Sequence, residues 1–348
     1  MSPTARVTGE LLRFGPHAGA HRAALRAGVS VLVPLLVLWA TGHSDWSIYA
    51  AFGAFTSLYG RNRIALPRLE LQALLAVLLT GAVGLGAWVS ISDHRTWLAV
   101  PIAGVIAGVG AWLSDVQDWH PPGPLFVIFA FTAVASIPGR AGDVPVALAV
   151  AGAAAAFSML VAQTGAAIRR LRDRAVATPV PRRPWAWRAG EPRHIARAAV
   201  AVTLAGACAT GVGIGHPYWA MVSAAVPLVA RTPRGQLVRS IHRVVGTAAG
   251  LGLAALLLTA GPTGLVLIGT IAALQICAEL LVGRNYAVAL IAITPLALLM
   301  VQMVAPAATG VLLFDRGVET VIGVVIGLAV GVAVRDPGRG APPTPQHP

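Results

Sequence analysis

His216-Pro217-Tyr218-Trp219 closes one apolar run of this chain, and His43-Ser44-Asp45-Trp46 closes another 173 residues earlier. His194 and His21 are separated by the same 173 residues, as are Arg234 and Arg61. Each half therefore reads as a basic start, an apolar run of about 20 residues, a His-x-x-Trp turn, a second apolar run, then arginines. A constant offset across a whole segment marks an internal duplication. Two such halves in a membrane protein enclose the solute path at their interface. The pattern points to a transporter rather than an enzyme.

Composition sets the same class. Of 348 residues, 56% are hydrophobic and 11% are charged. Soluble domains carry about 25% charged residues, so this chain cannot cover itself with a water-compatible surface, and its expected partner is the lipid bilayer. The net charge of +13 comes entirely from arginine, with 26 basic residues and no Lys. Its placement follows membrane topology and does not indicate nucleic acid. Without Lys there is no Walker A loop to hold nucleotide phosphates. No CxxC or HExxH spacing is present, so the sequence gives no sign of a cofactor or metal centre. His17 and His21 could share a helical face, a weak metal signal. Cys208 and Cys277 lie within apolar runs and read as small packing residues. No short apolar segment followed by a cleavage site appears near the N-terminus, so no cleavable signal is expected.

Twelve apolar segments can be placed. They lie near 22–41, 46–60, 69–91, 96–113, 122–138 and 144–168, then near 194–214, 217–230, 238–260, 263–282, 285–305 and 316–334. The second and eighth are short. The expected fold is an all-α integral membrane protein with about twelve transmembrane helices in two parallel six-helix repeats. Residues 1–21 form a cytoplasmic N-terminal segment and 22–168 the first repeat. Residues 169–193 form a cytoplasmic Arg/Pro-rich linker, 194–334 the second repeat, and 335–348 a disordered tail. With the N-terminus inside, 23 of the arginines fall in cytoplasmic segments and only Arg95, Arg140 and Arg316 fall outside. By the positive-inside rule this places both termini in the cytoplasm of a bacterial plasma membrane. The repeat is imperfect: Gly84 and Gly250 match at an offset of 166, Thr132 and Thr294 at 162.

A few residues could carry chemistry. Glu279 sits in an apolar run about one turn from the cytoplasmic end, and an intramembrane carboxylate is a functional candidate by default. It could take up a proton, or form an ion pair with Arg284 or Arg243. Gln275 lies one turn away on the same face. Glu319 and Arg316, three apart, could pair locally near the outer end of the last helix. Arg243, with Arg231, Arg234, Arg239 and Arg284, forms a cytoplasmic collar that could attract anions; snorkelling anchors are the alternative. Tyr218, Trp219 and Trp46 are either interfacial belt residues or a stack for a flat ring beside protonatable His216. Glycines four apart, at 104 and 108, 246 and 250, and 323, 327 and 331, read as close-packing positions.

The order of motifs in the second half is specific. His216-Pro217-Tyr218-Trp219-Ala220 is followed by Arg243-Val244-Val245-Gly246-Thr247, Asn285-Tyr286-Ala287 and Thr294-Pro295. Last comes Arg316 with Glu319-Thr320-Val321-Ile322-Gly323. This order resembles the fusaric-acid-resistance (FUSC) proteins of the aromatic acid exporter superfamily, well over 194–334 and weakly over 21–168. The resemblance implies efflux of organic anions, aromatic carboxylates in particular, with the proton as coupling ion. Related plant anion channels keep a passive channel open as an alternative, and a non-transporting membrane scaffold is another. Larger members carry a soluble domain between the membrane halves, where this chain has only its short linker.

Overall fold

A computed structural model describes residues 8–16, 19–60, 66–173 and 191–334. Among these residues the chain is all helical. The helices are α1 (Ala20–Ala40), α2 (Ser47–Ala54, continued by a 3-10 turn Phe55–Leu58), α3 (Leu66–Val89), α4 (Arg95–Gln117), α5 (Leu125–Ser136) and α6 (Asp143–Asp173). They continue with α7 (Glu191–Val212), α8 (Tyr218–Leu228), α9 (Pro233–Ala260), α10 (Gly264–Val282), α11 (Tyr286–Val304) and α12 (Thr309–Ala333). Nine helices of the described residues are long and apolar enough to cross a membrane. The protein is a multi-pass membrane protein whose helices contact lipid.

Three helices are shorter than a span. The segments expected at 46–60 and 217–230 give helices of 8 and 11 residues. The segment expected at 122–138 yields only 12 helical residues. Pro121, Pro122 and Pro124 hold back the start of α5, and Pro138 follows its end, as proline's missing N–H dictates. A short helix in apolar surroundings leaves its last carbonyls without water. The chain answers this twice in the same way. The Gln72 side chain donates to Tyr59 O at 3.2 Å beyond α2, and the Gln236 side chain donates to Ala230 O at 3.1 Å beyond α8. Arg68 Nε adds a donation to Gly60 O at 3.0 Å.

The last helix differs from its sequence reading. It starts at Thr309, not near 316, because Asp315 and Arg316 are absorbed into the fold instead of ending an apolar run. Arg316 is thus a buried residue within α12 and not an external arginine. The Arg/Pro-rich linker over 174–190, the tail from 335, Arg61 and His17 lie outside the described residues.

Helix packing has a regular order. In the first half α1 packs on α2 and α6, α2 on α3 and α6, α3 on α5 and α6, and α4 on α5. In the second half α7 packs on α8 and α12, α8 on α9 and α12, α9 on α11 and α12, and α10 on α11. Between halves α4 meets α7 and α1 meets α10, while α5 meets α8 and α2 meets α11. Exchanging the halves maps every pair just named onto another.

Glycines set the closest of these contacts, because lipid supplies no hydrophobic drive between helices and small residues let backbones approach. A Cβ at Gly323 or Gly327 of α12 would run into the Ala220 or Ala224 carbonyl of α8. Gly246 and Gly250 of α9 face the Ala287 and Leu290 carbonyls of α11, and Gly104 and Gly108 of α4 face α7. The glycines read as packing positions do pack. Gly327→Ala should therefore destabilise the protein by about 1–3 kcal/mol, since a carbonyl cannot yield as a side-chain tip can. Gly269→Ala on α10, where no atom lies within 4 Å of the new Cβ, should leave stability unchanged or slightly raised. Thermal unfolding of the two variants in detergent checks the contrast.

Candidate functional site

The two halves enclose a cavity of about 490 Å³, within the usual range for small-molecule sites. Helices α1, α2 and α5 supply one wall, and α8 to α12 supply the other. Its lining runs along α11 from Tyr286 to Val301, a rise of roughly 22 Å at 1.5 Å per residue. The walls are largely apolar and aromatic. Phe52 lies edge-on to Phe129 with centroids 5.0 Å apart, Phe55 to Phe126 at 5.1 Å, and Phe129 lies 5.0 Å from Trp219.

Polar groups enter this lining at two levels. At the arginine-rich end, α9 presents Arg239 and Arg243, α10 presents Gln275 and Glu279, and α11 presents Tyr286. Arg243 is 3% exposed and does not snorkel. Its Nη2 donates to Ser223 Oγ at 3.1 Å and its Nη1 to Tyr286 Oη at 3.2 Å. Arg239 lies over the Tyr286 ring at 5.9 Å. Glu279 and Gln275 are both buried on the cavity wall, and Glu279 is engaged by neighbouring groups. Arg243 and Arg284, its expected ion-pair partners, are turned to other groups.

The lining also includes Arg316 of α12 and Trp219 of α8. The Arg316 guanidinium carbon lies 3.9 Å from the Trp219 ring centroid, a cation–π contact. The local Arg316–Glu319 pair is not among the ion pairs of the described residues. Glu319 Oε1 instead accepts the His216 backbone N–H at 3.0 Å, and Asp315 Oδ2 pairs with His216 Nδ1 at 2.7 Å. These contacts fasten the α7–α8 turn to α12. Glu319 stands ten residues after Thr309, and it is fully buried where Glu279 is 6% exposed. Among the described residues Glu319 is therefore the most buried acid.

Two further expectations change. Tyr218 and Trp219 are 2% and 1% exposed, so they are interior residues and not a lipid-facing belt. Trp46, their counterpart by spacing, stacks on His43 at 4.0 Å within a small peripheral cluster and does not reach the cavity. His216 lies behind Tyr218 as a fastener and does not line the cavity.

The collar arginines are mostly partnered. Arg231 pairs with Asp115 of α4 at 2.6 Å and Arg234 with Glu10 at 2.8 Å. Arg284 donates from Nε to Gly15 O at 3.3 Å and covers the Phe14 ring at 4.4 Å. Residues 8–16 thereby form an arm across the α10–α11 turn, beside the cavity mouth. Asn285 holds it through Nδ2 donations to Leu11 O and Arg13 O at 3.1 and 3.2 Å, while its Oδ1 caps α11 by accepting from Ala287 N and Val288 N. Sequence reading missed this arm, and Asn285 entered it only as part of the Asn285-Tyr286-Ala287 motif.

With this geometry in place, comparison with known proteins is informative. Residues 198–330, nearly all of the second half, match the family described as fusaric acid resistance protein-like. The chain is also 36% identical over 121 residues to YvaC, an uncharacterized membrane protein of Bacillus subtilis (strain 168). That match covers 34% of this chain and 19% of YvaC, so the chain spans well under two thirds of that relative. No solved structure matches the chain.

Asn285→Asp keeps the capping acceptor and removes both donors to the arm. Amide exchange in residues 8–16 should quicken while the start of α11 stays protected, as read by hydrogen–deuterium exchange mass spectrometry. Asn285→Ala should quicken both, with about 1 kcal/mol lost from the cap.

Proposed function

We propose that the protein is an inner-membrane efflux carrier for organic anions, aromatic carboxylates in particular, driven by proton entry. In this reading residues 22–168 and 194–334 are two parallel six-helix repeats related by a pseudo-twofold along the membrane normal, twelve membrane segments in all. Both termini and the 169–193 linker face the cytoplasm of a bacterial cell. The exchange symmetry of the helix packing supports the repeat, and the arginine asymmetry supports the orientation.

The observation that carries the function is the cavity between the halves. It joins aromatic walls, suited to a flat ring, to buried guanidinium groups, suited to a carboxylate. A lone hydrophobic pocket would not select an acid, and a hydrated basic surface would not select a ring. The match over residues 198–330 to a family described by resistance to fusaric acid agrees with outward movement of such a solute.

Coupling is assigned to Glu279, the carboxylate on the cavity wall at the arginine-rich end. A group there can exchange protons with the side from which the anion enters. Counter-movement requires that its proton be carried inward on the solute-free carrier and be released before the anion is carried outward, so that proton and anion use the cavity in alternation. Arg239 and Arg243 supply an attractive potential at the mouth, which salt weakens.

Efflux of radiolabelled benzoate from proteoliposomes should accelerate when the opposite compartment is acidified, with protons moving counter to the anion. Glu279→Gln should transport benzoate without dependence on the pH gradient and remain folded and inserted. A flux that follows voltage and ignores the proton gradient in the wild type would make the protein a passive anion channel.

A further inference from the structure

Arg316 is among the largest fully buried side chains of the protein, at 1% exposure. It lies seven residues into α12, in a helix apolar enough to cross the membrane. Its Nε and Nη1 atoms are buried and find no acceptor in the protein, and the same holds for the indole N–H of Trp219 beneath it. Three buried donor atoms of two cavity-lining residues therefore have no acceptor in the protein.

Glu319 lies near enough to act on this charge, but neither nearby acid hydrogen-bonds the guanidinium. Asp315 is held by the His216 ring, and Glu319 accepts the His216 backbone N–H. Arg243 acts on Arg316 as a second positive charge, and its own hydrogen bonds go to the hydroxyls of Ser223 and Tyr286. Two guanidinium groups thus border one low-dielectric cavity without a carboxylate bonded to either. Such an arrangement is strongly unfavourable until an anion enters, and a planar oxyanion fits the guanidinium fork best.

We infer that Arg316 and Trp219 form the carboxylate-holding site of the cavity, where the carboxylate of a flat organic acid accepts from Arg316 while its ring lies against Phe129 and Phe52. The inference rests on the export reading and adds to it the group that holds the solute's charge. Selection then requires both parts of the solute. A neutral ring leaves the three donors unanswered, and a small aliphatic acid leaves the Phe129 wall uncovered.

Binding of radiolabelled benzoate to the purified protein in lipid nanodiscs tests this, with benzyl alcohol and acetate as competitors. Wild type should prefer benzoate to both competitors. Arg316→Ala should weaken benzoate binding roughly 10- to 100-fold, the loss expected for charge-assisted hydrogen bonds. Arg316→Lys keeps the charge without the planar fork and should fall between the two. Trp219→Phe keeps the ring, loses the N–H and should weaken binding about threefold or more. Size-exclusion profiles check folding, and if Arg316→Ala does not fold, the Lys and Phe variants decide. Wild-type affinity in the folded variants, with wild-type benzoate efflux intact, overturns this assignment alone. A wild-type protein that neither binds nor moves any of the three probes overturns the export reading and the assignment with it.

Discussion

Hydrocarbon offers no hydrogen bonds, so every interrupted helix and every interior charge of this protein must be settled by the protein itself. The short helices α2 and α8 show the consequence most plainly. Each ends where a full span would continue, and each has a following carbonyl taken by a glutamine from the next long helix, Gln72 or Gln236. Those short helices in turn leave room between the halves. Close helix contact is kept elsewhere by glycines that meet backbone carbonyls directly, Gly53 of α2 against α6 and Gly323 and Gly327 of α12 against α8 among them. The cavity is thus the product of two opposite devices, interrupted helices at its sides and glycine contacts behind them.

The halves share their order of packing but not their chemistry. Asp315 has a sequence counterpart in Asp143, yet the residue after Asp143 is Val144 where the second half has Arg316. Trp46 likewise stays at the periphery while Trp219 turns inward. The guanidinium groups that line the cavity, those of Arg239, Arg243 and Arg316, all come from the second half, and the first half contributes the phenylalanine wall. The cavity thus joins guanidinium groups from one half to an aromatic wall from the other, the pairing on which the proposed recognition of an amphipathic anion rests.

Much of this was legible in the sequence. Apolar runs placed the helices, and the His-x-x-Trp spacing located the two short ones. Glu279, Gln275, Arg243, Arg316 and Trp219 were singled out and do line the cavity. What escaped was depth. A run that breaks at Asp315-Arg316 looks like a helix end, because hydropathy sees the charges and not the partners that bury them. Tyr218 and Trp219 follow a turn, which favours an interfacial reading, and only packing against Phe129 and Arg316 brings them inside. The arm over residues 8–16 has no periodicity to announce it. Many of its contacts are main-chain carbonyls that hydrogen-bond Asn285 and His242 side chains, and those depend on tertiary structure alone.

The central claim is that the cavity between the halves is the path of the solute. Ala133 lies on its wall, 2% exposed and one helical turn beyond Phe129 on α5. The direct measurement is the rate at which a small methanethiosulfonate modifies Ala133→Cys, in protein whose Cys208 and Cys277 have been replaced by Ser. A solute path requires modification that benzoate slows and acetate does not. A modification rate indifferent to benzoate, in protein that still transports it, would place the path elsewhere.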